Sequence, residues 1–509
     1  MNAPAELGAV VQTDSGALQG HRVCHGADDV ALHRYLGVPY AAPPVGELRW
    51  QAPQPAMPWQ GVRLADRQGD NAPQRPEPFD AAPVRGGFSE DCLTLNVWAP
   101  AEPALKPRAV MVWIHGGGFV SGGSSPARYD GAGLASRGVL VVSLNYRLGR
   151  LGFFAHPALR RAQGDDAVGN FGLMDQLAAL RWVRRNIAAF GGDPERVTVF
   201  GESAGGHSVA WLMASPAARG LFAQAILQSA PLRDADPLGR RTLGLDEAGV
   251  RAQKWARSVG VPDGEGATVR AALHALPVDV LTAGLGLMNP APDFHGPVRG
   301  GSVWPASPEQ AAMRGHLPRM PVLVGSNSDE MGFLALPHLA PHPSAERALA
   351  AFGDGAAAIE TAYAAELRQG AARFVASLRG DQVFVEPSRF LARALAPHQP
   401  VFAYRFAHGG AHAAGALHAT ELPFVFDTLD TLAGAGAGAG AGEMALAVRM
   451  AGAWASFAQT GTPGDWPRWQ AGEEPLVWLD THGAVAGADP ARARLDAVAF
   501  AAASLSGAS

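Results

Sequence analysis

Residues Gly201-Glu202-Ser203-Ala204-Gly205 have the G-x-S-x-G spacing of a serine held in a sharp strand-to-helix turn. Such a turn forces the serine backbone into a strained conformation, and side chains two residues to either side would collide, which is why glycine is needed at 201 and 205. A serine exposed in this way is suited to attack an acyl carbonyl. The attack leaves a negatively charged oxygen, and backbone N–H groups fixed around that oxygen in advance are usually the largest catalytic contribution. His115-Gly116-Gly117-Gly118-Phe119 offers such groups, and the N–H groups of Gly117 and Gly118, with that of Ala204, are the candidate oxyanion hole. Each motif alone is weak, because 62 of the 509 residues are glycine and either stretch could be an ordinary turn. Their occurrence together in one chain carries the weight.

A nucleophilic serine also needs a base and a carboxylate to orient it, in the chain order Ser, Asp/Glu, His on this kind of scaffold. Sixteen histidines and many carboxylates compete, and spacing alone does not choose among them.

The elements around the two motifs fit. Apolar, β-branched runs at 109–114, 139–145, 197–200, 225–228, 322–326 and 401–406 are short enough to be strands and are separated by longer helical stretches. The glycine loop directly follows the first of these runs, and the serine turn directly follows the third. Residues 171–190 carry Leu173, Leu177, Leu180, Val183 and Ile187 at helical spacing and stop at Gly191-Gly192-Asp193-Pro194. Strand, helix, strand predicts an α/β fold with a large, mainly parallel central sheet and helices on both faces. No composition break divides residues 1–509, so a single domain is expected, with a Pro, Gly and Ala-rich insertion at about 232–319. The Ala-Gly run at 433–442 has nothing to anchor it and is expected to be a flexible surface loop.

Composition narrows the partners. With 48% apolar residues the chain can bury a large core, and 41 basic against 46 acidic residues give −5, with no basic excess pointing to nucleic acid. Cys24 and Cys92 are too few for a disulfide framework and lack metal-ligand spacing, so neither a cofactor nor a metal is expected. No apolar run approaches a membrane span, and the first residues lack a basic segment followed by an apolar one, so a cytoplasmic protein acting on a small molecule is expected. Oligomeric state is not legible.

With these motifs in hand, the chain resembles the type-B carboxylesterases, the family of para-nitrobenzyl esterases and, more distantly, cholinesterases. The resemblance is colinear over most of the chain. It includes Tyr35-Leu36-Gly37-Val38-Pro39-Tyr40-Ala41, Glu90-Asp91-Cys92-Leu93-Thr94-Leu95-Asn96-Val97, the glycine loop, Asn170-Phe171-Gly172-Leu173-Met174-Asp175-Gln176, Phe190-Gly191-Gly192-Asp193-Pro194 and the serine turn. It implies an α/β-hydrolase fold with a deep gorge, helical insertions and hydrolysis of carboxylic esters.

The resemblance also implies the remaining site residues. Gly415-Ala416-Leu417-His418-Ala419-Thr420-Glu421-Leu422-Pro423-Phe424 looks like the family's catalytic-histidine segment, which singles out His418 over its neighbours His408 and His412. Gly325-Ser326-Asn327-Ser328-Asp329-Glu330 makes Glu330 the orienting acid, although Met331 stands where the family usually has glycine, and a one-residue slip to Asp329 stays open. Glu202 and Ser229 match residues that support the triad, Ser229 by bonding to the acid; ordinary polar positions are the alternative. Trp211, Phe294, Phe333, Phe374 and Phe424 are candidates to line the acyl and alcohol pockets, core packing being the alternative.

Two departures from the cholinesterase pattern matter. Residues 67–89 contain no tryptophan, so choline esters are not expected to be favoured. The same stretch supplies no cysteine to pair with Cys92, which is therefore expected to be a free buried thiol. Amides and carbamates could use the same machinery, and a hydrolase-fold binding protein that has lost catalysis is the rival from another class.

Overall fold

The structure, a computed structural model, describes residues 6–506 apart from 27, 78–81, 165, 167, 236–241, 288–290, 337–343, 411–413 and 430–437. Thirteen strands form one sheet: β1 (Leu7–Gln12), β2 (Ala17–His25), β3 (Val30–Pro39), β4 (Val62–Leu64), β5 (Thr94–Pro100), β6 (Arg108–Ile114), β7 (Leu140–Leu144), β8 (Gly192–Glu202), β9 (Gln224–Gln228), β10 (Val322–Asn327), β11 (Val401–Phe406), β12 (Leu476–Asp480) and β13 (Gly483–Gly487). They lie in the order β1-β2-β3-β5-β7-β6-β8-β9-β10-β11-β12-β13, with β4 beside β2. From β7 to β12 every pairing is parallel. The N-terminal meander and the last strand are antiparallel. The chain thus has the mixed, mostly parallel sheet with helices on both faces expected for the α/β-hydrolase fold.

All six apolar runs are strands. They read as continuous apolar runs because parallel strands in mid-sheet are covered on both faces. In β6, Val110, Val112 and Ile114 enter one core cluster while Ala109, Met111 and Trp113 enter the cluster on the opposite face. Burying each of the larger side chains contributes about 1.5–3 kcal/mol, so this strand is pinned from both sides and its C-terminal end cannot drift. The N-terminal strands β1 to β4, whose alternation is broken by polar and exposed positions, were not legible as runs.

The helix Phe171–Asn186 continues as a 3-10 turn Ile187–Phe190 and stops at Gly191, where φ is +87°, as the terminator predicts. Its N-cap Asn170 and two of its polar residues fasten other segments. Asn170 exchanges two hydrogen bonds with the backbone of Val298, Asp175 takes both prongs of the buried Arg147 guanidinium at 2.8 and 2.7 Å, and Gln176 donates to Ser208 on the helix Ala204–Ala214.

Within 232–319, the described helices Leu245–Ser258, Ala267–His274 and Val278–Thr282 pack with Trp50, Phe154 and Trp255 into a satellite core. Of the Ala-Gly run at 433–442, residues 433–437 lie outside the described residues, and Ala441 begins the helix Ala441–Thr460. Cys24 is exposed, Cys92 is buried, and neither is bridged.

Candidate active site

The C-terminal ends of β6, β8, β9, β10 and β11 lead into the candidate triad, oxyanion-hole and supporting residues, as ligand sites on open α/β sheets require. The glycine loop leaves β6, Ser203 follows β8, Ser229 follows β9, Glu330 follows β10, and His418 lies on the connection after β11.

Ser203 has φ 55° and ψ −122°, far from the favoured regions of a non-glycine residue. A Cβ at Gly205 would stand 2.0 Å from the carbonyl oxygen of Ile114, and one at Gly201 would stand 2.5 Å from the carbonyl carbon of Gly205. Only glycine fits at either place, so the spacing in the motif is steric. Ser203 caps the helix Ala204–Ala214 without using its side chain, which leaves the hydroxyl for other work. Ala204, the first residue of that helix, has an N–H with no intrahelical acceptor, and the helix dipole adds partial positive charge beside it.

Gly117 has φ +100° and Gly118 φ +61°, and a Cβ at Gly117 would stand 2.1 Å from the carbonyl oxygen of Ser121. That carbonyl lies close because Val120 and Ser121 both donate back to the Gly117 oxygen in a tight turn. His115 anchors the loop. Its ring stacks on Tyr146 at 4.4 Å, and burial pushes its pKa down to about 4, so it stays neutral and structural. Gly116 packs on the serine turn: a Cβ there would lie 2.8 Å from Glu202 Oε2 and 3.2 Å from Ser203 Cβ.

Glu330 is fully buried and receives three donors. Ser229 Oγ and the Asn327 N–H each lie 2.6 Å from Oε1, and His418 Nδ1 lies 2.7 Å from Oε2. The last contact makes Nδ1 the protonated nitrogen in the neutral imidazole and turns Nε2 outward. Asp329 faces elsewhere and takes the Arg373 guanidinium on both oxygens, at 2.7 and 2.5 Å. His408 hydrogen-bonds Glu443 at 2.9 Å, and His412 lies outside the described residues.

The histidine segment has to cross back over β10, and four bonds stitch it there. Asp329 N–H donates to Ala416 O, Ala416 N–H to Ser328 Oγ, Asn327 Nδ2 to Leu417 O, and His418 N–H to Glu330 O. Below it sits a polar network that the sequence reading missed. Trp454 Nε1 can only donate, so its 3.0 Å contact fixes the oxygen of the Gln228 amide toward it and the amide nitrogen toward Glu421. Glu421 accepts from both Gln228 and Asn327, and burial raises its pKa despite those bonds. Phe384 stacks on His418 with centroids 4.4 Å apart, presented by the π-helical turn Asp381–Val385. Such turns gather at functional sites, and nothing in the sequence pattern announces one.

Glu202 Oε1 lies 3.1 Å from His418 Nε2, within ion-pair distance though not aligned as a hydrogen bond. A lone pair facing a carboxylate at that distance is repulsive unless one of the two carries a proton. Burial, with the negative charges of Glu421 and Glu330, pushes the Glu202 carboxyl up to about 8. For His418, burial pulls downward, but the carboxylates of Glu202 and Glu330 outweigh it and lift the imidazole to about 9. The His418 side chain is 21% exposed, so the group remains reachable.

Of the proposed pocket aromatics, Trp211 and Phe374 are fully buried in separate clusters and Phe424 packs against Phe406 and His408. Phe294 and Phe333 are partly exposed. Among the described residues, eight non-glycine residues have φ above zero, and Phe119, Ser203, Ser229 and Ala419 lie in the loops of this site. Half of the strained backbone therefore sits here, where surrounding contacts hold it. No group of three His, Cys, Asp or Glu among the described residues could hold a metal. None of the described helices is long and apolar enough to cross a membrane.

A profile of the carboxylesterase family matches residues 8–495. The chain is 37% identical to fumonisin B1 esterase of Sphingopyxis macrogoltabida over 90% of its length and 86% of that protein's. It is 35% identical to para-nitrobenzyl esterase of Bacillus subtilis (strain 168), over 93% and 95% of the two chains. A solved structure of PNB esterase superposes with a TM-score of 0.78 at 34% identity, covering 96% of this chain and 99% of that one.

Proposed function

The chain belongs to the carboxylesterase family and is a carboxylic ester hydrolase, and we propose that it works through an acyl-enzyme on Ser203, with His418 as base and Glu330 as orienting acid. The observation that carries this reading is the short chain of contacts from Ser229 and Asn327 through Glu330 to His418 Nδ1, at 2.6, 2.6 and 2.7 Å, with His418 Nε2 3.1 Å from Glu202, the residue that precedes Ser203 in its glycine-flanked turn.

In this mechanism His418 Nε2 takes the proton from the Ser203 hydroxyl as oxygen attacks the carbonyl carbon. The oxyanion is met by the N–H groups of Gly117, Gly118 and Ala204, which are set before substrate arrives. Collapse breaks the bond to the leaving alcohol, which receives the proton from Nε2. Water then repeats the sequence on the acyl-enzyme and releases the acid. Glu330 holds the tautomer and steadies the imidazolium, and Glu202 tunes how readily Nε2 gives up its proton. Simple aliphatic and aryl esters are the expected substrates, and two unpaired cysteines agree with a cytoplasmic setting. We read residues 1–509 as one catalytic domain, since its sheet takes strands from both ends of the chain.

Phenyl acetate hydrolysis tests the assignment. Ser203→Ala should lower kcat/KM by at least about 10⁴-fold with the circular dichroism spectrum unchanged. Undiminished turnover by that variant would remove Ser203 from the mechanism. A matched ester, amide and carbamate series run beside it ranks the leaving groups.

A further inference from the structure

Arg128 is a cation at the edge of the site that the mechanism does not use. It sits on the 3-10 turn Ala127–Tyr129, just after the glycine loop, and Tyr129 fixes that turn by packing against Trp113 at 5.1 Å and Phe426 at 5.8 Å. The half-buried Arg128 side chain reaches the carbonyl oxygen of Ala419, the residue after His418, with Nη1 at 3.3 Å. Its Nε is buried and has no acceptor, and among the described residues no carboxylate lies within ion-pair distance of it. A guanidinium carries five N–H donors in a planar fork, and with Nε buried and Nη1 making one long bond, the Nη2 donors and the second N–H of Nη1 are left for another partner.

Its position says which part of a substrate it meets. The leaving alcohol must lie near His418 Nε2, because that nitrogen returns the proton to it. Arg128 bonds the residue beside His418, and its charge is felt by Glu202, which itself touches Nε2. Arg128 therefore belongs to the leaving-group side of Ser203. On that side, burial raises the pKa of both Glu202 and Glu421, so these groups are poor permanent counter-ions for a cation.

We infer that Arg128 is a specificity-determining residue that recognises a carboxylate borne by the leaving alcohol of the ester. The preferred substrates are then esters of hydroxy acids, whose carboxylate takes the fork in paired N–H···O bonds while the ester carbonyl lies over Ser203. This inference rests on the triad reading above, because the leaving-group side is defined by His418.

The test compares 4-acetoxybenzoate with the neutral 4-acetoxybenzamide, which share an acyl group and differ in charge on the leaving group. In the wild type, kcat/KM for the anion relative to the amide-bearing ester should be high, and Arg128→Gln should lower that ratio at least about tenfold, mainly through KM. Arg128→Lys should recover part of it, and added sodium chloride should raise KM for the anion in the wild type more than in Arg128→Gln. An unchanged ratio, with both esters falling together, would overturn the proposal and leave Arg128 as a partner of the buried acids. The same holds if the loss appears with ethyl hydrogen glutarate, whose charge is on the acyl side, and not with 4-acetoxybenzoate. Should Arg128→Gln not fold, Arg128→Lys carries the same ratio and the same salt comparison. If Ser203→Ala hydrolyses both esters as well as the wild type does, it is the triad reading that fails, and the wild-type ratio alone no longer locates Arg128.

Discussion

The two halves of the site are built by different means. At the ends of β6 and β8, the glycine loop and the serine turn are shaped by backbone: Gly205 against Ile114 O, Gly201 against Gly205, Gly117 against Ser121 O. At the ends of β10 and β11, Glu330 and His418 are held by a web of hydrogen bonds and one ring stack, drawn from the side chains of Ser229, Gln228, Glu421, Trp454 and Phe384 and from both the backbone and the side chain of Asn327. The first half depends on atoms that must be missing, so one substitution there collides with a backbone that cannot yield. The second depends on donors that must be present, and losing one leaves others in place. A steric scaffold should fail abruptly and a hydrogen-bonded one by degrees.

The sharpest break should come from Gly117→Ala. A methyl group at φ +100° and 2.1 Å from a carbonyl oxygen moves the loop, and loss of one oxyanion donor lowers kcat by about 10²–10³-fold. Stopped-flow turnover of an aryl acetate reads this directly. A loss under threefold would mean the loop is not the oxyanion cradle.

That difference also decides what was legible in the sequence. Glycine at fixed offsets is a local requirement, so the nucleophile and the oxyanion loop stand out from a few adjacent residues. The six parallel strands were legible for a related reason, since strands covered on both faces are unbroken apolar runs. His418 and Glu330 were reached only through resemblance, because their partners lie far away in the chain: Ser229 is 101 residues from Glu330, and Trp454 is 226 from Gln228. Polar residues scattered at such separations look like any others until the fold gathers them. Phe384 was illegible because the π turn that aims it has no pattern of its own. Glu421 lay within the histidine segment all along, three residues after His418, yet only the buried bonds to Gln228 and Asn327 mark it as part of the site.

On the hydrogen-bonded side the effects should be smaller. Ser229→Ala removes one of three donors to a buried carboxylate, which should cost about tenfold in kcat/KM while KM hardly moves. Steady-state kinetics on the same ester checks it, and a loss as large as that of Gly117→Ala would erase the contrast between the halves.

Smaller still, and visible as a shift rather than a loss, is the effect of charge at position 202. Because the Glu202 carboxylate stabilises the His418 imidazolium, it raises the pH at which the base becomes free. Glu202→Gln removes that negative charge, so the imidazole pKa falls and the acid limb of kcat/KM against pH moves down by about one unit. The wild-type limb should accordingly lie above the ordinary imidazole value near 6.5. A limb that stays put, or moves up, would show that Glu202 does not govern the proton on Nε2.

The central claim is that one hydroxyl, that of Ser203, forms the covalent intermediate, and a fluorophosphonate probe tests it most directly. Mass spectrometry of the folded protein should find one adduct per chain, mapped to the peptide containing Ser203 and absent from Ser203→Ala. An adduct on another residue, or none while ester hydrolysis proceeds, would contradict the account.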